Sequence, residues 1–166
     1  MNKPMTWIFG IIFSAVMLTT MEVKAISADD VHNITGIKDA DFSTKAISGK
    51  TFIELHDRNG KTSGYVFDTV DFVHDVKGFK GPIRLLVYIS SDGILKNFQI
   101  IKSSDYAKYL NKVMKKKNQY LNKDISQPGI AATDAVTGAT YSSRGIAKTL
   151  EKAGIAFTKL IELKQE

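Results

Sequence analysis

The residues with the greatest capacity for chemistry lie in one short segment near the C-terminus. Residues 134–143 read Asp-Ala-Val-Thr-Gly-Ala-Thr-Tyr-Ser-Ser. Gly138 permits a tight backbone turn, so a ligand could approach the main chain closely there. The segment also carries four aliphatic hydroxyls, on Thr137, Thr140, Ser142 and Ser143. A permissive turn flanked by hydroxyls could hold a phosphate group.

A helix follows this segment and is predicted to run from about Ser143 to Leu163. Apolar residues recur in it three or four residues apart and predict its buried face, which consists of Ile146, Leu150, Ala153, Phe157 and Leu160. The free N–H groups and the positive dipole at its start would attract a phosphate. The residues alone leave plain helix capping open, because Ser and Thr are preferred N-caps. The sequence has no Gly-x-x-x-x-Gly-Lys-[Ser/Thr] string, which excludes a nucleotide P-loop.

Residues 134–147 resemble the signature of the FMN-binding domain family, Asp-x-x-[Ser/Thr]-Gly-Ala-Thr-x-[Ser/Thr]. Two upstream blocks also resemble that family, residues 64–72 and residues 78–94, so that the likeness covers roughly residues 50–155. The family includes flavin-carrying subunits of the sodium-pumping quinone reductase and of the Rnf complexes. It also includes the periplasmic domain of nitrous-oxide reductase regulators.

The resemblance implies a covalently bound FMN. The last hydroxyl of the signature, here Ser142, would carry the flavin through a phosphoester bond, installed by a separate FAD-dependent FMN transferase. Asp134 would belong to what that transferase recognises. The other cofactor-binding residues that the match implies are Thr137, Gly138, Ala139, Thr140 and Tyr141. Tyr141 could stack on the isoalloxazine ring, with an exposed loop tyrosine as the alternative.

Two positions depart from the family pattern. Ser142 stands where many members have threonine, which keeps the nucleophilic oxygen but lacks the methyl group. After Ile101, many members have a Glu-[Thr/Ser]-Pro-Gly type of loop, whereas residues 103–109 contain no proline. Asp105 is the residue that could replace the glutamate of that loop.

The remaining pattern predicts one α+β domain, with a small antiparallel sheet built from hairpins and packed by a central and a C-terminal helix. The turn residues Asn59-Gly60 and Asp92-Gly93 each lie between the two strands of a predicted hairpin. The predicted strands are 51–55, 65–70, 83–89 and 94–101. The central helix is predicted from Asp105 to Leu121, and weaker helical patterns occur at 28–34 and 39–47.

Composition excludes several other chemistries. The chain has 166 residues and no cysteine, which rules out disulfides, thiolate metal sites and a cysteine nucleophile. The histidines, at 32, 56 and 74, lack the spacing of metal ligands. The net charge of +6 suits an acidic partner or an anionic membrane surface, and no nucleic-acid-binding motif is present. The lysines between 108 and 123 predict a solvated helix face.

The first 25 residues have the pattern of an export signal. Lys3 precedes an uncharged apolar run at 7–21, and Val23-Lys24-Ala25 fits the small-x-small cleavage pattern. A helix of that length would span about 22 Å, which is short of the roughly 30 Å hydrocarbon core of a bilayer. We therefore predict a signal peptide at 1–25, with an uncleaved anchor as the alternative, and an FMN-binding domain at 26–166.

These features together predict an exported flavoprotein in the periplasm or on the outer face of the cytoplasmic membrane. It would pass electrons from a membrane-side donor to an extracytoplasmic acceptor, so membrane or periplasmic redox proteins are its expected partners. Two alternatives remain open. One is a small flavin-dependent reductase whose substrate binds at the flavin, and the other is an accessory protein of the same fold that never receives flavin.

The export signal leads to the first testable prediction. The chain recovered from the cell envelope should begin at Ile26, because cleavage is expected after Ala25. N-terminal sequencing of that material checks this, and a chain that still begins at Met1 would support the anchor instead.

Overall fold

The sheet is a five-stranded antiparallel meander, seen in a computed structural model that describes residues 25–39 and 41–163. The strands follow chain order and pair with their sequence neighbours: β1 (Asp41–Ile47), β2 (Lys50–His56), β3 (Thr62–Asp68), β4 (Ile83–Ser90) and β5 (Leu95–Ser103). Both predicted hairpins are present, at β2–β3 and β4–β5. The α+β prediction is confirmed. The predicted signal segment, apart from Ala25, lies outside the described residues.

Three α-helices accompany the sheet. They are α1 (Ala28–Thr35), α2 (Ala107–Lys115) and α3 (Thr140–Glu162), with short 3-10 turns at Thr69–Asp71, Lys117–Gln119 and Ile130–Ala132. The weak helical pattern at 28–34 is confirmed by α1. The one at 39–47 is wrong, because residues 41–47 form β1, paired along their whole length with β2. Tertiary pairing with a neighbouring strand there overrides a weak local preference.

Helix α3 supplies the centre of the main hydrophobic core. All five residues of its predicted apolar face are buried. Phe157 stacks on Phe67 of β3 with the ring centroids 4.2 Å apart, and it meets Phe52 and Tyr65 edge to face. The opposite face of the sheet is covered by α1, whose Val31 belongs to a second apolar cluster. The sheet is therefore covered on both faces.

Gly154 has a packing role within α3. Helix α3 continues through this position as a single helix. A Cβ atom there would lie 2.2 Å from the carbonyl oxygen of Ile125. Gly154 therefore lets the segment before the third 3-10 turn pass directly against the helix. Among the described residues, no helix is long and apolar enough to cross a membrane.

The packing of α3 predicts the effect of truncating its central leucine. Leu150 is fully buried, so Leu150→Ala should lower the free energy of unfolding by roughly 2–5 kcal/mol. Leu163→Ala is the matched control, because that side chain is 67% exposed and should cost little. Chemical denaturation measures both, and equal effects of the two substitutions would contradict this packing.

Candidate functional site

The motif segment forms a tight turn that leads directly into α3. Gly138 has a φ of 71°, in the left-handed region, and the N–H of Ala139 donates to the carbonyl of Val136 at 2.9 Å. The helix begins at Thr140, a little earlier than the sequence predicts. Ala139 is its N-cap residue, and no side chain caps the helix.

The first turn of α3 therefore keeps its backbone donors available. The N–H of Ser143 is the first to find a helical acceptor, the carbonyl of Ala139 at 2.9 Å. The preceding N–H groups, on Thr140, Tyr141 and Ser142, have no acceptor within the helix. The Ser143 hydroxyl turns away from the cap, accepting from the N–H of Val136 at 3.0 Å and donating to the carbonyl of Thr140 at 3.1 Å. Plain capping, the alternative left open by the sequence, does not account for these hydroxyls.

A cavity of about 220 Å³ opens at this helix end. Five of its lining residues belong to the motif, Gly138, Ala139, Thr140, Tyr141 and Ser142. The other walls are Phe79, from the loop before β4, and Tyr109, from α2. The cavity thus combines free backbone donors with aromatic rings, which suits a ligand with an anionic end and a planar ring system.

A buried carboxylate accepts hydrogen bonds from two of the segments that line the cavity. Asp105 is 8% exposed, and its Oδ2 accepts the Ser142 hydroxyl at 2.5 Å and the N–H of Phe79 at 2.9 Å. Its Oδ1 accepts the N–H of Lys80 at 2.7 Å. Burial raises the pKa of Asp105, but these hydrogen bonds to the charged form outweigh it, so the pKa lies below its ordinary value. Asp105 thus ties the Phe79 loop to the first turn of α3.

Two glycines bring the same loop and helix together. A Cβ atom on Gly78 would lie 2.3 Å from Asp105 Oδ2, and one on Gly145 would lie 2.8 Å from the Cα of Gly78. A side chain on Gly145 would therefore push α3 away from the loop, and one on Gly78 would displace the Asp105 carboxylate. Phe79 follows Gly78 directly, so this close backbone approach places it in the cavity wall.

Exposed aromatic rings and lysines surround the mouth of the cavity. Phe79 lies within about 6 Å, between ring centroids, of Tyr106, Tyr109 and Tyr141. The Lys80 amino group lies 4.0 Å from the Tyr106 ring centroid and lowers the pKa of that phenol. These side chains come from three different segments and form one continuous surface.

The structure separates the residues predicted for the site into two groups. Thr140 lines the cavity half-buried, Tyr141 is 66% exposed at its mouth, and Ser142 is only 1% exposed. Thr137 and Asp134 are exposed and do not line the cavity. The roles of all these residues in binding FMN stay predictions.

Sequence reasoning missed part of the site. Phe79 and Tyr109 line the cavity although neither was among the predicted binding residues. The Lys112 amino group lies beside Gly138, because a Cβ on that glycine would come within 2.7 Å of it. The sequence carried one usable signal: Tyr109 and Lys112 are three residues apart, so they share a face of α2. Among the described residues, no cluster of three metal-ligating side chains occurs.

Comparison with known proteins agrees with this geometry. Residues 78–154 match the FMN-binding domain family, a range that includes the Phe79 loop, Asp105, the motif turn and most of α3. The resemblance to this family that the signature predicts is therefore confirmed over this segment.

One relative extends the similarity over most of the chain. It is a subunit of the proton-translocating ferredoxin:NAD(+) oxidoreductase complex of Clostridium ljungdahlii, and it is 27% identical over 159 residues. The alignment covers 89% of this chain and 83% of the relative. No solved structure matches the chain significantly.

The buried carboxylate leads to a prediction about stability. Asp105→Asn should lower the free energy of unfolding by about 1.5–3 kcal/mol, because an amide replaces one acceptor oxygen with a donor that faces another donor. The pKa of Asp105 is lower in the folded chain, so the carboxylate stabilises the fold fully above the unfolded pKa of about 4. That contribution is lost as the pH falls through the lowered pKa.

Denaturation at neutral and acid pH measures this effect. The difference between the parent and Asp105→Asn should shrink below about pH 4. Asp57→Asn is the control: its Oδ1 accepts the N–H groups of Asn59 and Lys61, a role that an amide oxygen can keep. If Asp105→Asn lowers the free energy of unfolding at neutral pH no more than Asp57→Asn does, this role of the carboxylate is contradicted.

Proposed function

We propose that this protein carries FMN covalently and acts as an electron-transfer module. The observation that carries the proposal is the cavity at the uncapped start of α3, which is lined by residues of the family signature and by Phe79. The match of residues 78–154 to the FMN-binding domain supports the choice of cofactor. The relative's place in an oxidoreductase complex supports electron transfer.

The residues at the cavity fit both ends of FMN. The N–H groups of Thr140, Tyr141 and Ser142 and the ammonium of Lys112 would hold the phosphate. The exposed rings of Phe79 and Tyr141 would flank the isoalloxazine. The flavin would supply the redox chemistry, while the protein positions it and sets its electrostatic surroundings.

Two hydroxyls of the motif compete as the site of the phosphoester. The family resemblance implies Ser142, but that hydroxyl is buried and donates to Asp105 at 2.5 Å. Thr140 lies half-buried on the cavity wall, and within the described part of the chain its hydroxyl has no hydrogen-bond partner. Thr140 is therefore the proposed acceptor, because a modifying enzyme can reach its hydroxyl more easily. Ser142, the acceptor that the resemblance implies, is the alternative.

The attachment reaction balances with FAD as the flavin donor. The hydroxyl oxygen would attack the phosphorus on the FMN side of the FAD pyrophosphate and form the P–O bond. The bond to the AMP phosphate would break, AMP would leave, and the hydroxyl proton would pass to solvent or to the transferase. The chain would gain the mass of one FMN minus one water. Asp134 is exposed before the turn, where that transferase could contact it.

Covalent attachment suits a carrier that works outside the cytoplasm. Free FMN would be dilute there, whereas a tethered flavin keeps a fixed effective concentration at its site. We therefore propose an exported protein, in the periplasm or on the outer face of the cytoplasmic membrane, with membrane or periplasmic redox proteins as partners. The named complex of the relative supports the choice of a carrier over a self-sufficient reductase.

The acceptor hydroxyl can be identified by paired substitutions in a host with an active FMN transferase. Thr140→Ala should abolish the added flavin mass, Thr140→Ser should restore it, and Ser142→Ala should keep most of it. Intact-mass spectrometry and in-gel flavin fluorescence after denaturation measure the loading. Circular dichroism confirms that each variant is folded.

The opposite pattern would assign the phosphoester to Ser142. In that case Ser142→Ala would lose the added flavin mass and Ser142→Thr would restore it. Thr140→Ala would keep it. If the folded parent never carries flavin beside an active transferase, the accessory-protein alternative replaces the electron carrier.

A further inference from the structure

The segments that build the cavity are depleted of acidic residues. Residues 76–91, 106–123 and 135–150 contain eleven lysines and arginines and no aspartate or glutamate. Asp105, between the first two segments, is buried and accepts hydrogen bonds from within the site. These segments therefore carry an excess of positive charge, of which Arg84 is paired with Asp68 away from the cavity.

Three of these cations lie at the cavity mouth itself. Lys80 covers the Tyr106 ring, Lys108 lies 4.9 Å from the Tyr109 ring centroid, and the Lys112 amino group lies beside Gly138. All three are exposed. Within the described ranges, the ion pairs are Arg84–Asp68 and Lys152–Asp75, and neither involves these lysines. The charges of Lys80 and Lys108 are therefore available to an approaching molecule, whereas Lys112 is the cation proposed above for the FMN phosphate.

The lysines border an apolar centre. Phe79 and Tyr141 are 51% and 66% exposed, and Tyr106 is exposed to a similar degree. These rings and Tyr109 contact one another across the cavity mouth. Exposed aromatic side chains at the centre with charged groups at the rim are the usual arrangement of a protein–protein interface.

We propose that this lysine–aromatic face, formed by Phe79, Lys80, Tyr106, Lys108, Tyr109 and Tyr141, docks an acidic surface of an electron-transfer partner. The inference rests on the proposed function, because a flavin in this cavity would reach solvent only through the face. A partner must approach that mouth to exchange electrons. Opposite charges would speed the encounter and orient it.

An anionic membrane is the other surface with matching charge. Docking the same face on lipid headgroups would cover the cavity mouth and keep a redox partner away from the flavin. The position of the lysines around the mouth, and not on a face remote from it, therefore favours a protein partner.

The test compares two double variants of the full chain with the same net charge. One is Lys80→Gln/Lys108→Gln, which leaves Lys112 at the proposed phosphate site. The matched control is Lys38→Gln/Lys61→Gln, whose lysines are exposed and lie outside the cavity segments. The probe is a fluorescein-labelled oligo-glutamate peptide, followed by anisotropy at low and at physiological salt. Vesicles with and without phosphatidylglycerol form a separate arm.

The face variant should bind the peptide roughly tenfold more weakly than the parent, and the control less than about threefold. Added salt should reduce the parent's affinity for the peptide and bring it closer to that of the face variant. Equal weakening in both variants would overturn the proposal, as would vesicle binding that depends on Lys80 and Lys108 without peptide binding. Peptide binding needs no flavin, so the intact mass of the same samples reports separately on the proposed function.

Discussion

The buried carboxylate of Asp105 joins three parts of the chain that are far apart in sequence. It receives the N–H groups of Phe79 and Lys80 from the loop before β4, it precedes α2, and it accepts the Ser142 hydroxyl from the first turn of α3. A charged group with this little exposure is stable only when such donors satisfy it. The positions of the Phe79 ring and of the α3 N-terminus both follow from these contacts.

The N-terminus of α3 has backbone donors that no side chain caps. A helix that starts without a side-chain cap forgoes roughly 1 kcal/mol of stability relative to one capped by serine or threonine. Here Ser143 is close enough to bond the turn, yet its hydroxyl bonds Val136 and Thr140 instead. Departures from good local structure are expected at sites whose unsatisfied groups serve a ligand. The uncapped donors, the adjacent Lys112 and the open cavity fit an anionic group in this position.

The sequence predicted the elements better than it predicted how they meet. The hairpins and the buried face of α3 were predictable, because turn chemistry and a 3.6-residue period are local properties. The strand β1 was missed because its pairing with β2 is a tertiary effect. Phe79 reaches the cavity through the close packing of Gly78 on Gly145, and Tyr109 and Lys112 reach it through the packing of α2 against α3. No local pattern encodes either contact. The burial of Ser142, which separates it from Thr140, is likewise a result of the fold.

The phosphoester is the central claim, and phosphorus NMR of the exported protein tests it most directly. The protein is unfolded in denaturant and freed of small molecules before the measurement, so that only covalently bound phosphorus remains. A phosphodiester lacks the second ionisation that a phosphate monoester shows near pH 6. Our account predicts one resonance that stays with the unfolded chain and does not shift with pH through that region. A resonance that titrates near pH 6, or the loss of all phosphorus on unfolding, would contradict it.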